Sequence, residues 1–257
     1  MRIVSFNANG IRSAANKGFF GWLRQQEADV VCLQETKVED DDFPTDELMR
    51  LGYAVAMAGQ PTYNGVAIVA RLPIKDIRIG LVGDLPNANR RAISATVGGV
   101  RVVNVYVPNG KSVTSPSFVE KLSWLERLRL TLDTLENANE PLALCGDFNI
   151  CTDERDVYAP ELYQNQLHFH PDERRQLARV LEFGLVDAYR AQHQAGGAYT
   201  FWDYRSAAFR RNEGLRIDYV FVTKALLPRL TKAEIDVEPR HAAKPSDHAP
   251  VVVDFSD

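Results

Sequence analysis

The sequence predicts an α/β protein with mixed β-sheets, and three observations support this fold class. Short apolar runs rich in branched and aromatic residues recur along the chain, and patterns typical of amphipathic helices lie between some of them. Strands and helices intermixed in this way indicate a layered α/β fold. No stretch is rich enough in Gly, Pro or Ser to serve as a linker, so we expect one domain over residues 1–257.

The predicted elements follow one another from the first residues to the last. The strands span residues 3–6, 30–34, 53–58, 66–70, 92–97, 100–107, 141–146, 217–223, 234–237 and 250–255. The helices span residues 17–27, 45–51, 117–137 and 171–183. The last helix has a clear start, because Pro171 needs no N–H there and the acidic Asp172 and Glu173 suit the positive end of a helix. Residues 150–169 are irregular, and irregular segments of that length are more often functional loops than simple connections.

The composition is that of an ordinary globular protein. Of its 257 residues, 45% are hydrophobic and 25% are charged, which is typical of a chain that buries a substantial core. The longest apolar runs fall far below the ~20 residues that a spanning helix needs, so we expect no membrane partner. The chain opens with MRIVSFNANG, which lacks the apolar stretch of a signal peptide, so we expect a cytoplasmic protein.

Charge and cysteine content narrow the possible partners. The formal net charge is −4, so the chain does not attract nucleic acid through its overall charge. Any polyanionic partner must therefore meet a local basic surface. Cys32, Cys145 and Cys151 show no CxxC spacing, and two of them lie in apolar runs. We expect all three to be small buried side chains.

Polar side chains that can bind metal or phosphate stand at the ends of the predicted strands. They are Asn7, Asn9, Glu35, Tyr106, Asn109, Asp147, Asn149, Asp218, Asp247 and His248. VSFNANG and LCGDFNI are alike in this respect, since in each an apolar strand is followed directly by such a cluster. Buried charges and amides are costly unless they have a ligand or a partner, and strand ends in α/β sheets form the usual ligand crevice. We therefore expect these side chains to gather in one site.

Taken singly, these residues have simpler interpretations. The asparagines could be turn residues, Glu35 could be a surface acid, and Asp147 could close a strand as an Asx turn. Asp218 is harder to explain in this way, since Asp is depleted in strands and its neighbours are apolar. A structural ion pair between Asp218 and Arg216 is its alternative.

As a set, the residues suit a phosphoesterase that uses a hard cation. Mg²⁺ prefers oxygen ligands, which Glu35 with Asp247 or Asn9 could supply. Such an ion neutralises phosphate charge while another carboxylate orients an attacking water. An imidazole such as His248, held by a carboxylate, keeps one tautomer and favours a protonated form that can contact phosphate.

Eight sequence blocks occur in order with sensible spacing. They are SFNANGIRS, LQETKV, YNGVAIV, NVYVPNG, GDFNI, YTFWDYRS, GLRIDYVFV and KPSDHAPV. Together they resemble the signature blocks of the exonuclease III family of apurinic/apyrimidinic endonucleases, within the endonuclease/exonuclease/phosphatase superfamily. The resemblance covers residues 3–255. It implies a four-layer α/β sandwich, with two packed mixed β-sheets flanked by helices and an active site where strand ends of both sheets meet.

The resemblance also implies a metal site and a nucleophile. Glu35 resembles the main metal ligand, with Asn9 and Asp247 as nearby contributors. The ion expected is Mg²⁺, for which Mn²⁺ can substitute. Asp147 resembles the residue that activates or orients the nucleophilic water.

The remaining catalytic residues resemble groups that hold the phosphate and its surroundings. Asn7 and Asn149 hold the water and the phosphate in place. Asp218 resembles the partner of His248, and His248 and Tyr106 resemble phosphate contacts. Whether a carboxylate, the imidazole or a tyrosine phenolate removes the proton stays open at this point.

A segment near the C-terminal end favours a nucleic-acid ligand, because it interleaves aromatic rings that pack against sugars or bases with guanidinium groups that pair with phosphates. Its residues are Phe201, Trp202, Tyr204, Arg205, Phe209, Arg210, Arg211 and Arg216. The resemblance places Phe201, Trp202 and Leu215 around a pocket for a base-free sugar. The alternative is that Trp202 belongs to the core and the arginines to the solvated surface.

Further phosphate contacts are expected beside this segment. Asn109, Lys111 and Lys121, in the neighbouring loop and helix, are predicted to supply them without sequence preference. The function implied is a Mg²⁺-dependent repair phosphodiesterase that cleaves 5′ to abasic sites, with 3′–5′ exonuclease and 3′-phosphatase activity. Its expected substrate is double-stranded DNA with abasic sites or 3′ ends, and we expect a monomer.

Three other interpretations compete with this one. A catalytically silent nucleic-acid-binding regulator of the same fold would show substitutions among the ligands or the Asp/His pair, and this chain shows none. A phosphoesterase for lipid or sugar phosphates is disfavoured by the aromatic and arginine segment. A zinc site at HFHPDE is also disfavoured, because position 173 is Glu and the segment leads into a helix.

Overall fold

Two mixed β-sheets form the centre of the computed structural model, which describes residues 1–256. Each sheet has six strands. The strands are β1 (Arg2–Asn7), β2 (Val30–Gln34), β3 (Ala54–Ala58), β4 (Val66–Ala70), β5 (Ile74–Ile79), β6 (Ala92–Val97), β7 (Val100–Tyr106), β8 (Leu142–Asp147), β9 (Leu185–Asp187), β10 (Asp218–Thr223), β11 (Leu230–Ile235) and β12 (Val251–Phe255). Most of them are apolar runs that are buried on both faces, as expected for strands covered on two sides.

The two sheets repeat one topology. The first sheet has the order β11-β12-β1-β2-β4-β3, and the second, taken from its far edge, has the order β9-β10-β8-β7-β6-β5. In each sheet one pair of central strands is parallel, β1 with β2 and β7 with β8. Asn7 at the end of β1 and Asp147 at the end of β8 therefore occupy equivalent positions, which explains the likeness between VSFNANG and LCGDFNI.

Helices flank the two sheets. They are α1 (Ile11–Ala15), α2 (Phe19–Gln26), α3 (Thr45–Arg50), α4 (Pro116–Leu135), α5 (Pro160–Tyr163), α6 (Pro171–Leu181), α7 (Ala188–Gln192) and α8 (Ala208–Arg211). Leu23 of α2 and Leu48 of α3 pack against the first sheet, whereas Leu128 of α4 and Leu177 of α6 pack against the second. The predicted four-layer sandwich is thus confirmed. Within residues 1–256, none of the helices has both the length and the apolar character needed to cross a bilayer.

The core between the sheets is apolar apart from one layer of amides just below the strand ends. Ile3, Ile68 and Val102 are among the buried residues of this core, and the three cysteines are buried as predicted. Gln34 Nε2 donates to Asn104 Oδ1 across the sheets at 2.7 Å. This hydrogen bond fixes the relative position of the two sheets directly under the site.

The elements that the sequence did not predict are short or exposed. β5 has the sequence IKDIRI and is mostly exposed, so it lacks the apolar run of a buried strand. β9 has three residues, and α1, α5, α7 and α8 have four or five. The strand predicted at 234–237 was placed too late, since β11 spans Leu230–Ile235. Its exposed Thr231 and Lys232 interrupt the apolar pattern on which the prediction depended.

Candidate active site

The candidate site lies at one end of the sandwich, where strands of both sheets end or begin. β1, β7 and β8 end in Asn7, Tyr106 and Asp147, and Glu35 follows β2 directly. β10 runs antiparallel to β8, so its first residue, Asp218, pairs with Asp147 in the ladder. The predicted convergence of residues far apart in the sequence is therefore present in the structure.

The carboxamide of Asn7 connects the two sheets at this point. Its Nδ2 donates to Glu35 Oε1 and to Asp147 Oδ2, both at 2.9 Å. Its Oδ1 accepts from the backbone N of Asn9 at 3.0 Å. Asn7 is fully buried, so these bonds are made away from water and hold both carboxylates firmly.

His248 and Asp218 form a buried pair. His248 Nδ1 lies 2.8 Å from Asp218 Oδ2, and His248 Nε2 lies 3.8 Å from Asp147 Oδ2. Burial lowers the pKa of His248, but the charges of Asp218 and Asp147 outweigh it and raise that pKa to about 10. The imidazole is therefore a cation at neutral pH, with Nε2–H facing the centre of the site.

The alternative of an ion pair between Asp218 and Arg216 is wrong. Arg216 is buried and its guanidinium contacts Asp156 at 2.7 Å and Asp187 at 2.8 Å. The guanidinium of Arg216 is thus taken up by these two carboxylates, while Asp218 Oδ2 faces His248 Nδ1 at 2.8 Å. The backbone N–H groups of Ile217 and Asp218 both donate to Thr200 Oγ1 at 3.0 Å.

Three acidic groups near Asn7 differ in protonation. Burial, followed by repulsion from Asp218, raises the pKa of Asp147 to about 7. Burial also raises the pKa of Tyr106, and the negative charges of Glu35 and Asp147 add to this effect, so Tyr106 is a neutral phenol. Burial acts in the same direction on Glu35, but attraction to Lys37 and the Asn7 hydrogen bond lower its pKa overall.

Two of the three side chains expected to hold a metal ion, Glu35 and Asn9, direct an oxygen toward the same point. Glu35 Oε2 and Asn9 Oδ1 both face the ammonium of Lys37, at 2.9 and 2.5 Å. Asp247 Oδ1 accepts from Asn9 Nδ2 at 2.8 Å, so Asp247 orients Asn9 from behind. Carboxylate and amide oxygens are the ligands that Mg²⁺ prefers, and the set fits such an ion.

A second grouping, of Glu35, Asp147 and His248, also brings ligand atoms within 4.8 Å of one another. The protonated imidazole has no free lone pair, so His248 is a poor ligand in this state. Glu35, together with Asn9, therefore supplies the better donors for a hard cation.

Asn149 and Asn109 form the side of the site next to Asp147. The backbone N of Asn149 donates to Asp147 Oδ1 at 2.8 Å, and Asn109 Nδ2 donates to Asn149 Oδ1 at 3.1 Å. Asn109 is exposed at the rim, and the exposed Lys111 follows it. Both can reach a phosphate from outside.

Lys121 does not line this surface, so its prediction as a phosphate contact is corrected. Its side chain is fully buried, and its ammonium donates to Glu173 and, at 2.8 Å, to the backbone O of Asn149. Lys121 lies on the inner face of α4. The sequence predicted the helix but not which of its faces is turned inward. Its role here is to tie the Asn149 loop to α6.

The predicted sugar pocket also needs correction. Phe201 is half-buried and its ring centroid lies 5.1 Å from that of His248. Trp202, next to it in an extended segment, points the other way and is 2% exposed, packed against Phe209. Leu215 is 3% exposed and pairs with Phe201 in an isolated bridge. Of these three residues, Phe201 alone offers a surface to a sugar, and Trp202 belongs to the core.

The arginines of this segment differ in availability. Arg205 and Arg210 are exposed. Arg211 is exposed too, but its guanidinium is bound by Glu213, at 2.8 Å from Nε to Oε1. Arg216 is buried and belongs to the core ion-pair network described above, so the sequence overestimated the basic surface.

Three residues of the site were missed although their blocks were recognised. Lys37 contacts Glu35 and Asn9, whose oxygens are predicted to bind the metal, and Thr200 fixes the backbone of Asp218 as described above. Ser246 Oγ donates to the backbone O of Asn7 at 2.8 Å and accepts from the backbone N of His248 at 3.2 Å. A pattern of strand-end acids and amides does not single out such supporting residues.

The His248–Asp218 pair predicts a specific titration. Because the folded pKa of about 10 exceeds the ordinary 6.5, the pair stabilises the fold fully below pH 6.5 and loses this effect as pH rises through 10. In ¹H–¹⁵N NMR of the imidazole, we expect His248 to titrate well above neutrality. Asp218→Asn should lower the midpoint by at least about one unit. A midpoint near 6.5 in the unsubstituted protein would contradict this description.

Comparisons with known proteins agree with this geometry. Residues 4–248 match the model of the Endonuclease/Exonuclease/phosphatase family. The chain is 33% identical to an exodeoxyribonuclease III of Haemophilus influenzae, over 99% of this chain and 100% of that one. An AP endonuclease from Archaeoglobus fulgidus is similar in structure, with a TM-score of 0.96, 38% identity and complete coverage of both chains. A 3′ phosphatase from Neisseria, bound to a product DNA hairpin, gives a TM-score of 0.95 and 38% identity, again with complete coverage of both chains. The chain belongs to the endonuclease/exonuclease/phosphatase family.

Proposed function

We propose that this protein is a Mg²⁺-dependent DNA repair phosphodiesterase that incises duplex DNA 5′ to abasic sites and also removes nucleotides or phosphate from 3′ ends. The observation that carries the proposal is the Asn7 amide, which holds Glu35 and Asp147 on either side of one point while His248 presents Nε2–H to it. A base, a cation-binding carboxylate and a proton donor around one point are what hydrolysis of a phosphodiester requires.

Asp147 is the general base in this proposal. The pKa of Asp147, raised to about 7, suits proton removal from water near neutral pH. The raised pKa of Tyr106 disfavours a phenolate, and the raised pKa of His248 disfavours the neutral imidazole that could accept a proton. Among the three groups left open by the sequence, we therefore assign proton removal to the carboxylate.

Proton donors surround the position of the phosphate. His248 donates from Nε2 and Tyr106 from its hydroxyl, and the Asn7 and Asn149 groups keep Asp147 in place. Interactions that are fixed before the substrate arrives stabilise charge that develops in the transition state without further reorganisation. Asp218 keeps the imidazole protonated, so a neutral Asn at this position would weaken the donor.

A divalent ion at Glu35 and Asn9 would neutralise phosphate charge and stabilise the departing oxygen. Asp247 would keep Asn9 Oδ1 turned toward it. Mn²⁺ accepts the same oxygen ligands and can substitute for Mg²⁺.

The proposed partner is double-stranded DNA. Arg205 and Arg210, with Asn109 and Lys111, would contact the backbone, and Phe201 would pack against a base-free sugar beside His248. The relatives named above include an AP endonuclease and a 3′ phosphatase of equal identity to this chain, so both activities are assigned. The complete polar set argues against a silent regulator. A monomer in the cytoplasm stays a prediction.

An incision assay tests this proposal. Purified protein with Mg²⁺ should cleave a duplex with one tetrahydrofuran abasic site, and should release nucleotide from an undamaged duplex with a recessed 3′ end. We expect EDTA to abolish both reactions. Asp147→Asn should lower kcat by at least about a thousandfold, within the range for a lost general base, with unchanged circular dichroism. The control is Asp133→Asn, at an exposed position of α4. Full activity of Asp147→Asn would overturn the assigned role.

DNA contacts should appear in the salt dependence of binding. With catalysis blocked by EDTA, Arg205→Gln and Arg210→Gln should each weaken duplex binding and reduce the slope of log K against log salt by about 0.9. Arg211→Gln should change the slope less, because Glu213 already binds that guanidinium. Lys75→Gln, on β5 near the opposite end of the sandwich, is the control. Slopes equal to that of the control would show that these arginines are solvated surface residues that do not contact DNA.

A further inference from the structure

Lys37 holds the two oxygens that the proposed metal ion would need. Its ammonium lies 2.9 Å from Glu35 Oε2 and 2.5 Å from Asn9 Oδ1, and its side chain is 28% exposed. An ammonium and a divalent cation cannot both occupy this short distance from the same oxygen pair. The contact therefore concerns the metal site directly.

The loop that carries Lys37 is fixed in place. Glu35 and Lys37 both have positive φ, 50° and 57°, which is unusual for residues other than glycine. The strain persists because Lys37 N donates to Asn64 O at 3.0 Å and Gly10 N donates to Glu35 O at 2.8 Å. A β-carbon at Gly65 would collide with Thr36 Oγ1, so the loop also needs glycine beside it. The fold thus aims the stem of Lys37 at the ligands.

We propose that Lys37 is a tethered cation that competes with the divalent ion for Glu35 and Asn9 and thereby sets the metal affinity of the site. The proposal rests on the metal site of the proposed function. On metal binding, the ammonium moves outward on its flexible stem, which is already partly exposed. The carboxylate gives up one cation and gains another, so the net affinity is the difference between the two attractions.

A competing role and a supporting role for Lys37 predict opposite effects of its removal on metal affinity. If Lys37 only oriented Glu35 for the ion, its removal would loosen the ligand and weaken metal binding. If Lys37 competes, its removal frees both oxygens and relieves repulsion of the incoming charge, so metal binding becomes tighter. The two roles therefore predict opposite shifts in the metal dissociation constant.

The test is calorimetric titration of the full-length protein with MnCl₂, without DNA. We expect Lys37→Gln to lower the Mn²⁺ Kd by about tenfold, which corresponds to about 1.4 kcal/mol. Lys37→Arg keeps the charge and should leave the Kd unchanged or higher. Arg12→Gln removes a positive charge that contacts Asp42 instead, and should change the Kd less than about twofold. In thermal unfolding, Mn²⁺ should raise the Tm of Lys37→Gln by more than it raises that of the unsubstituted protein.

The outcomes separate this proposal from the one on which it rests. Glu35→Gln should abolish Mn²⁺ binding at this site. If it does, and Lys37→Gln binds Mn²⁺ as weakly as the unsubstituted protein or more weakly, competition by Lys37 is overturned while the metal site stands. If Glu35→Gln binds Mn²⁺ normally, the metal site is misplaced and the role of Lys37 is overturned with it.

Discussion

The carboxamide of Asn7 is the interaction on which the candidate site depends. Its two N–H groups are divided between Glu35, from the first sheet, and Asp147, from the second. Because Asn7 is completely buried, a shift of either sheet would leave a donor or a carboxylate without a partner at considerable cost. One layer below, the hydrogen bond between Gln34 and Asn104 joins the same sheets. Amide hydrogen bonds thus join the two sheets both within the site and directly beneath it.

Environment gives similar side chains different chemical roles in this small volume. Asp218 has the imidazole of His248 as its partner and keeps it charged, whereas burial, followed by repulsion from Asp218, raises the pKa of Asp147 to about 7. Glu35 lies beside a lysine and stays ionised. In the proposed mechanism these differences let one acid accept a proton, one support a proton donor and one attract a cation. Pairs of titratable groups whose environments separate their pKa values are typical of hydrolytic centres.

The sequence predicted the buried strands and the strand-end acids well, because both are local signals of apolar runs and of the polar residues that end them. The predictions failed for residues whose role depends on the direction in which the side chain points. Lys121 and Trp202 have the composition of DNA contacts, but the face of α4 and the alternation after Phe201 turn both inward. The partners of Arg216 come from residues 156 and 187, which no nearby pattern links to it. The contact of Lys37 with Asn9 required the two loops to meet in space.

The central claim is that the bridge made by Asn7 organises the reacting groups. Single-turnover incision of an abasic duplex by Asn7→Leu tests it most directly, with Asn104→Leu as the matched loss of a buried inter-sheet amide below the site. The account predicts that Asn7→Leu slows incision by at least about a hundredfold while the chain stays folded, and that Asn104→Leu lowers stability with a much smaller effect on rate. Incision by folded Asn7→Leu within about threefold of the unsubstituted protein would contradict the account.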